Sequence, residues 1–377
     1  MKDWLVAERA KVREQHDAGS PGIQLCTRLT EMFDRAVLDL YHQAMDDFAK
    51  PQRLALARDV VLVAHGGYGR RDVAPFSDVD LMILHAPRAE SRVAPLARRL
   101  LHDLYDAGLS LGQSVRTVSD ACKLGLKDAS IFTSLVEARY LVGSEALFER
   151  FQHRFRMAAG RHWRRLVGEI ERARDQERQQ FGETVYLLEP NVKRSPGGLR
   201  DMQLLRWVGF ARYGHNAADA LAEIGELDRN DQAALQRALE FLLRLRNELH
   251  FHANKAHDVL DRAEQMRVAA GFQYVGTAGL LPVEAFMREY FLNSNAVQNI
   301  VSRFLERARP WSKLARFLAP MFSHQIDGDY QVGPNSISAT PEGLKKLDGN
   351  LAEILRLTDL ANSYNKRIDY RTWEAVR

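Results

Sequence analysis

The spacing of apolar positions changes period along the chain. Residues 1–57 carry apolar side chains at three- and four-residue steps, with Leu25, Leu29, Met32, Phe33, Ala36 and Leu40 on one stripe. That pattern predicts amphipathic helix. Val60 to Ala64 is an unbroken, β-branched apolar run stopped by Gly66-Gly67, as expected of a buried strand. Val79 to Leu84 predicts a second strand closed by His85-Ala86-Pro87, and Leu109 to Val118 a third. Helical spacing returns between Ala94 and Ala107. Beyond residue 150 strand signals almost vanish, and segments 161–181, 231–251 and 282–308 all have helical periodicity. After Pro310 come Pro, Gly, Asn and Ser clusters, then a helical stretch from Thr340 to Asn362. Three regions are predicted: 1–150, mixed α and β on a small sheet with a helical lead-in; 151–310, all helical; and 311–377, a partly helical tail.

Composition narrows the class without changing this outline. The 377 residues are 46% hydrophobic and 27% charged, which excludes collagen-like, low-complexity and wholly disordered chains. Lys plus Arg is 53 and Asp plus Glu is 49, leaving +4, a mixed surface rather than a nucleic-acid footprint. Cys26 and Cys122 are too few for a disulfide framework or a four-cysteine zinc site and are expected as small core residues. No apolar run approaches the roughly 20 residues of a membrane span. The amino end lacks a signal-peptide apolar segment, so no membrane partner and a cytoplasmic location are expected.

Candidate chemistry concentrates in VVLVAHGGYGRRDVAPFSDVDLMIL, residues 60–84. Side chains alternate along a strand, so Asp78 and Asp80 share one face, about 7 Å apart, while Val79, Leu81 and Ile83 take the other. Two such carboxylates suit hard divalent cations, which take oxygen ligands and leave sites for water and phosphate. Gly66 and Gly67 offer backbone N–H groups without side chains in the way, and Ser77 adds a hydroxyl donor. Glycines, a spacer and Asp-x-Asp together propose metal-assisted nucleotidyl transfer.

Gly-Gly-Tyr-Gly-Arg at 66–70, Pro75 and Ser-Asp-Val-Asp at 77–80 resemble the nucleotidyltransferase signature of the bacterial PII uridylyltransferase family. Asn191 to Asp201 (NVKRSPGGLRD) resembles the Lys-x-x-x-Gly-Gly-Leu-Arg-Asp element of the same family's helical domain. Ser114-Val115-Arg116-Thr117, Glu137-Ala138-Arg139 and the 282–305 segment follow in family order. The resemblance implies an α+β chain, a DNA-polymerase-β-like nucleotidyltransferase domain followed by an all-α domain. It implies Asp78 and Asp80 as ligands of two Mg²⁺ ions, and Gly66, Gly67 and Ser77 as triphosphate contacts. UTP is then the UMP donor, and a tyrosine of the trimeric PII nitrogen-signalling protein the acceptor. Lys193 and Arg200 either close over the nucleotide from the helical side or belong to a helix start whose Arg200-Asp201 meets structural partners.

Polymerase-β-like sites commonly offer a third carboxylate on the next strand. Ser110 to Arg116 contains no acid, and Asp120 and Asp128 are the nearest candidates. Arg71, Asp72 and Val73 stand where the family usually has Gly, Glu and Leu; Gln113 replaces a common His and Ser195 a usual Gly. The charged segment 161–181 is expected to pair its own charges on a solvated face. His257-Asp258 spells the dipeptide of metal phosphohydrolases without the rest of such a site, and a structural role is expected. Full-length family members continue into a UMP-removing phosphohydrolase and glutamine-sensing domains. The chain ends before either, so one-way transfer indifferent to glutamine is expected. Two other classes stay open: a glutamine synthetase adenylyltransferase using ATP, and a catalytically degenerate nucleotide-binding or scaffold module.

Overall fold

The structure, a computed structural model, describes residues 1–182, 184–309, 324–333, 336–364, 366–369, 372–373 and 375–376. The chain divides into two units, Met1–Ala308 and Arg309–Arg377. The boundary expected at 310–311 falls on residues outside those described.

The first unit opens with three helices: α1 (Lys2–Asp17), α2 (Gly22–Asp46) and α3 (Lys50–Asp59). The apolar stripe read in the sequence is the buried face of α2, with Leu25, Leu29, Phe33 and Ala36 almost without solvent contact. There follow β1 (Val60–Ala64), the short helix α4 (Gly66–Arg70), β2 (Val79–His85), α5 (Glu90–Asp106) and β3 (Leu111–Thr117). After these come α6 (Val118–Lys127), α7 (Ala129–Val136), β4 (Arg139–Gly143) and α8 (Glu145–Phe181). The sheet order is β3-β2-β1-β4. β1 is antiparallel to both β2 and β4, and β2 is parallel to β3, so the sheet is mixed.

Both faces of this sheet are buried, more than the alternating pattern required. Val60, Leu62, Val79, Leu81 and Ile83 pack with Leu29, Phe33 and Leu100 on one side. Val61, Val63, Met82 and Leu84 pack on the other with Phe132, Phe151 and Phe155. Strands enclosed in this way read as continuous apolar runs, which is why 60–64 and 79–84 were visible. β4 is only half-buried along its length and gave no such signal.

The helical half continues with α9 (Leu199–Tyr213), α10 (Ala218–Glu223), α11 (Arg229–Ala253), α12 (Arg262–Gly271) and α13 (Pro282–Ala308). α8 runs through residue 150 without a break, and the core that takes Val61 and Met82 also holds Phe210 and Phe304. Sheet and helices thus meet through packed side chains, and the residues between them are held on a rigid frame.

The second unit adds strands to the helices of the partly helical tail expected there. It contains β5 (His324–Ile326), β6 (Tyr330–Val332), β7 (Ser336–Ala339) and β8 (Arg367–Ile368), in that spatial order. Helices Pro341–Leu347 and Leu351–Ser363 cover it, and Tyr330, Val332, Ile337, Leu347 and Leu357 form its core. Strands of two to four residues are too short for a periodicity to emerge from sequence.

Candidate active site

Asp80 is the second residue of β2, and Asp78 precedes the strand. Asp78 is exposed and accepts from the Ser110 hydroxyl at 2.5 Å. Asp80 is half-buried, and its carboxylate sits where two glycines make room. A Cβ on Gly66 would lie 2.4 Å from its Oδ2, and one on Gly112 2.2 Å from its Oδ1. Gly66 also has φ of +57°, which a side chain resists. Gly112 is the β3 residue opposite Asp80 in the register, so the neighbouring strand supplies space where a third carboxylate was sought. Gly112→Ala is expected to push the Asp80 carboxylate aside and lower divalent-cation affinity and transfer about a hundredfold. Cation titration and turnover on the same sample check it.

Burial raises the Asp80 carboxyl to about 6, and the like charge of Asp78 adds to the rise. Lys193, Arg70 and the Gly67 N–H, which hydrogen-bonds the carboxylate, oppose it. The Gly66-Gly67 pair therefore opens a short helix, with the Gly67 N–H turned to Asp80. Ser77 Oγ accepts from the Ala74 N–H at 2.9 Å, which closes the 74–77 turn and leaves the hydroxyl hydrogen free to donate.

The second motif approaches from the helical half. Asn191 Oδ1 accepts from the N–H groups of Lys193 and Arg194 at 3.1 and 2.8 Å, and Arg200 N–H returns to the Lys193 carbonyl at 2.8 Å. Gly197, with φ of +73°, lies so close to α13 that a Cβ would be 2.1 Å from the Ser294 carbonyl oxygen. Asp201 is fully buried; it accepts from Arg174 at 2.7 Å, Arg178 at 3.0 Å and the Gly197 N–H at 2.7 Å. The glycines and Asp201 are thus structural, whereas Lys193 and Arg200 face a cavity. Arg174, expected among the solvated charges of 161–181, is buried for this purpose, while Arg165–Glu169 is the surface pair foreseen.

That cavity, about 510 Å³, brings the two distant motifs together: Gly66, Gly67, Ser77, Asp78 and Asp80 line it with Lys193 and Arg200. Burial, with the charge of Arg246 next, lowers the Lys193 amine to about 8. Arg70, Arg194 and Arg246 also line the cavity, Arg70 paired with Asp72 and Arg246 with Asp258, so cations crowd beside four carboxylates. Such a distribution accommodates a polyanion that carries its own cation.

Several lining residues escaped the sequence reading. Arg246 donates to Asp258 at 2.8 Å, and His250 lies 3.0 Å from the same oxygen. Burial opposes its ionisation, yet these partners hold the Asp258 carboxyl well below the ordinary range. Its backbone carbonyl accepts from the Val192 N–H at 2.8 Å, so Asp258 ties the 191–200 loop to α11. No metal-capable cluster includes His257 or Asp258 among the described residues. Asp120 and Asp128 serve helix starts: Asp120, in the first turn of α6, accepts from the hydroxyl of its cap Thr117, and Asp128 caps α7 and accepts from the Ile131 N–H. Gln203 and Trp207 follow Arg200 at helical spacing on α9 and also line the cavity, a signal the sequence did contain. Cys26 and Cys122 are buried, and burial pushes the Cys26 thiol up to about 12.

Arg71 ends α4 with φ of +66°. A left-handed backbone penalises any side chain here, so Arg71→Gly is expected to stabilise the fold by about 0.5–1 kcal/mol. Denaturant titration checks this.

Among the described residues no helix is long and apolar enough to cross a membrane. The family model described as GlnD PII-uridylyltransferase matches residues 164–305. A bifunctional uridylyltransferase/uridylyl-removing enzyme of Cupriavidus metallidurans is 34% identical over 307 residues, covering 81% of this chain and 34% of that protein. Its namesake in Burkholderia vietnamiensis is 34% identical over 80% of the chain and 34% of its own length. That of Bradyrhizobium diazoefficiens is 29% identical over 96% of the chain and 40% of its own length. The chain therefore spans between a third and two fifths of these curated relatives. By identity over four fifths of its length, the chain belongs to the bifunctional uridylyltransferase/uridylyl-removing enzyme family.

Proposed function

We propose that this chain is a metal-dependent nucleotidyltransferase on a polymerase-β-like fold, which moves UMP from UTP to a tyrosine of the PII signalling protein. The observation that carries the reading is the convergence of Asp78 and Asp80 with Lys193 and Arg200 on one cavity. The donor set fits Mg²⁺: two strand-end carboxylates, one lifted by burial and by its neighbour's charge, gain from a hard cation that takes oxygen ligands. Magnesium bound there supplies positive charge to the carboxylates and to phosphate oxygens.

The chain's own groups do the rest. Lys193 and Arg200 bring positive charge to the phosphates, and the Ser77 hydroxyl donates a hydrogen bond. The tyrosine oxygen forms a bond to the α-phosphorus as the α–β bond breaks, and pyrophosphate leaves against the same cations. The phenol, with an ordinary pKa near 10, must lose its proton as that bond forms.

The test incubates the full chain with Mg²⁺, labelled UTP or ATP, and PII or glutamine synthetase. Label on a PII tyrosine from UTP is expected. Label from ATP on glutamine synthetase, or none anywhere, overturns the reading. Uridylylated PII given to the same sample is expected to release no UMP, since Asp258 is engaged by Arg246 and His250.

A further inference from the structure

One wall of the cavity carries no charge. Ser130 and Thr133 of α7 and Gln203 and Trp207 of α9 line it. The two helices are adjacent, with the rings of Phe132 and Phe210 6.3 Å apart. If phosphates go to the cations and carboxylates, the uncharged wall is left for the uncharged part of the ligand.

Gln203 is the informative residue on that wall. It is 4% exposed, and its Oε1 accepts from Arg200 Nη1 at 3.0 Å. A guanidinium only donates, so the carbonyl of the amide must face Arg200 and the NH₂ must face away. That NH₂ has no partner among the described residues. Trp207, one turn on, has an indole N–H that also lacks an acceptor. The indole nitrogen is buried, and a buried donor left unmade costs more than a typical hydrogen bond returns, so this wall is incomplete without an acceptor. The Thr133 hydroxyl donates to the Ser130 carbonyl at 3.0 Å, leaving its oxygen as an acceptor.

We propose that Gln203 sets the base preference of this site, its amide NH₂ donating to a carbonyl oxygen of a 2,4-dioxopyrimidine. The inference rests on the nucleoside-triphosphate reading above and deepens it. A uracil edge offers two carbonyl oxygens flanking one N–H, which suits a wall with donors on Gln203 and Trp207 and an acceptor on Thr133. Cytosine and adenine place an amino group where one carbonyl would stand, and two donors then face each other. Arg200 is the residue that fixes the amide's direction, which couples base reading to the same side chain that meets phosphate.

Equilibrium binding of UTP, CTP and inorganic tripolyphosphate to the full chain with Mg²⁺, without acceptor protein, tests this. The parent chain is expected to hold UTP at least about tenfold more tightly than CTP, the loss of about one hydrogen bond. In Gln203→Glu the carboxylate still accepts from Arg200 but offers no donor. UTP should weaken about tenfold, and CTP should equal or exceed it. Gln203→Leu should weaken UTP similarly with no gain for CTP. Tripolyphosphate should bind all three proteins within about threefold, showing that fold and phosphate contacts survive. An unchanged UTP-to-CTP ratio in both variants overturns the inference and leaves the nucleotide reading intact. Loss of tripolyphosphate in the variants also overturns it, since Gln203 would then act through the loop. A parent chain that binds neither tripolyphosphate nor any nucleotide overturns both.

Discussion

Asp80→Asn is expected to abolish nucleotide transfer and yet, in a chelator, to unfold at higher denaturant than the parent. The first effect follows from removing one of two carboxylates that would hold the metal, a loss of at least about a thousandfold, or roughly 4 kcal/mol of barrier. The second follows from what holds the carboxylate in the absence of a cation. Burial and the charge of Asp78 raise its carboxyl from 3.8 to about 6, so at neutral pH the fold carries an ionised group it disfavours. That rise corresponds to at most about 3 kcal/mol. Partial solvent access screens it, so a gain of about 1–2 kcal/mol is expected. The pH dependence has a definite sign. Because the folded value lies above the unfolded one, the folded state holds the extra proton between about 4 and 6. Chelated parent protein therefore loses stability as pH rises through that window, and Asp80→Asn does not. Cation affinity should fall as pH drops below about 6, since proton and metal compete for the same oxygens. Denaturant midpoints at pH 5 and 7.5, with and without Mg²⁺, test all of this. A variant less stable than the parent in chelator, or one that keeps the parent's pH slope, sinks the account of a strained carboxylate.

That strain was only half legible in the sequence. The period-two alternation put Asp78 and Asp80 on one face of a strand, and the structure agrees for Asp80, which stands on the face of Met82 and Leu84. The alternation did not say that Gly66 and Gly112 clear the space for its two oxygens, because that depends on strand pairing. Gly112 was read merely as part of a strand lacking an acid. Arg246 was missed for the same reason, and Asp258, expected to be structural, was not placed at the cavity. Both line it because Arg246 of α11 binds Asp258, whose carbonyl takes the Val192 N–H, and no local spacing encodes such contacts. Lys193 and Arg200 were visible through their flanking glycines, but not which of the two alternatives applied. The structure divides the motif between them, with Lys193 and Arg200 at the cavity and Gly197, Gly198 and Asp201 shaping the loop. The overlooked face of α9, with Gln203 and Trp207 following Arg200, is where a helical reading of the same eleven residues and their continuation would have extended the site.

The largest stability effect is expected at Arg174–Asp201. Both side chains are buried, Arg174 at 3% and Asp201 at 0% exposure, and their ion pair spans 2.7 Å. Arg174 also donates to the carbonyls of Arg194 and Ser195 at 2.8 and 3.3 Å, so it fastens the middle of the second motif to α8. Burial disfavours the Asp201 charge, but Arg174, Arg178 and the Gly197 N–H outweigh it and hold the carboxyl below its ordinary value. A depressed carboxylate contributes stability that is present at neutral pH and lost only as pH falls below the ordinary range. Arg174→Ala removes one partner and leaves buried Asp201 with Arg178 and the Gly197 N–H, for which a cost of about 3–5 kcal/mol is expected. Asp201→Asn should cost less, since the amide oxygen can still accept from Gly197 and Arg174 keeps Glu177, 2.9 Å away, as its remaining counter-charge. Both variants should free the 191–198 loop, and Lys193 with it, so transfer should fall about a hundredfold or more even where the protein remains folded. Hydrogen exchange read at Val192 to Gly198 separates this from global unfolding. Faster exchange confined to the loop in Asp201→Asn is the expected result, because Asp80 and the sheet beneath it do not depend on that ion pair. Unchanged loop protection with full activity would mean that Lys193 is held by Asn191 and Asp258 alone, and that the buried pair serves only the packing of α8 on α9.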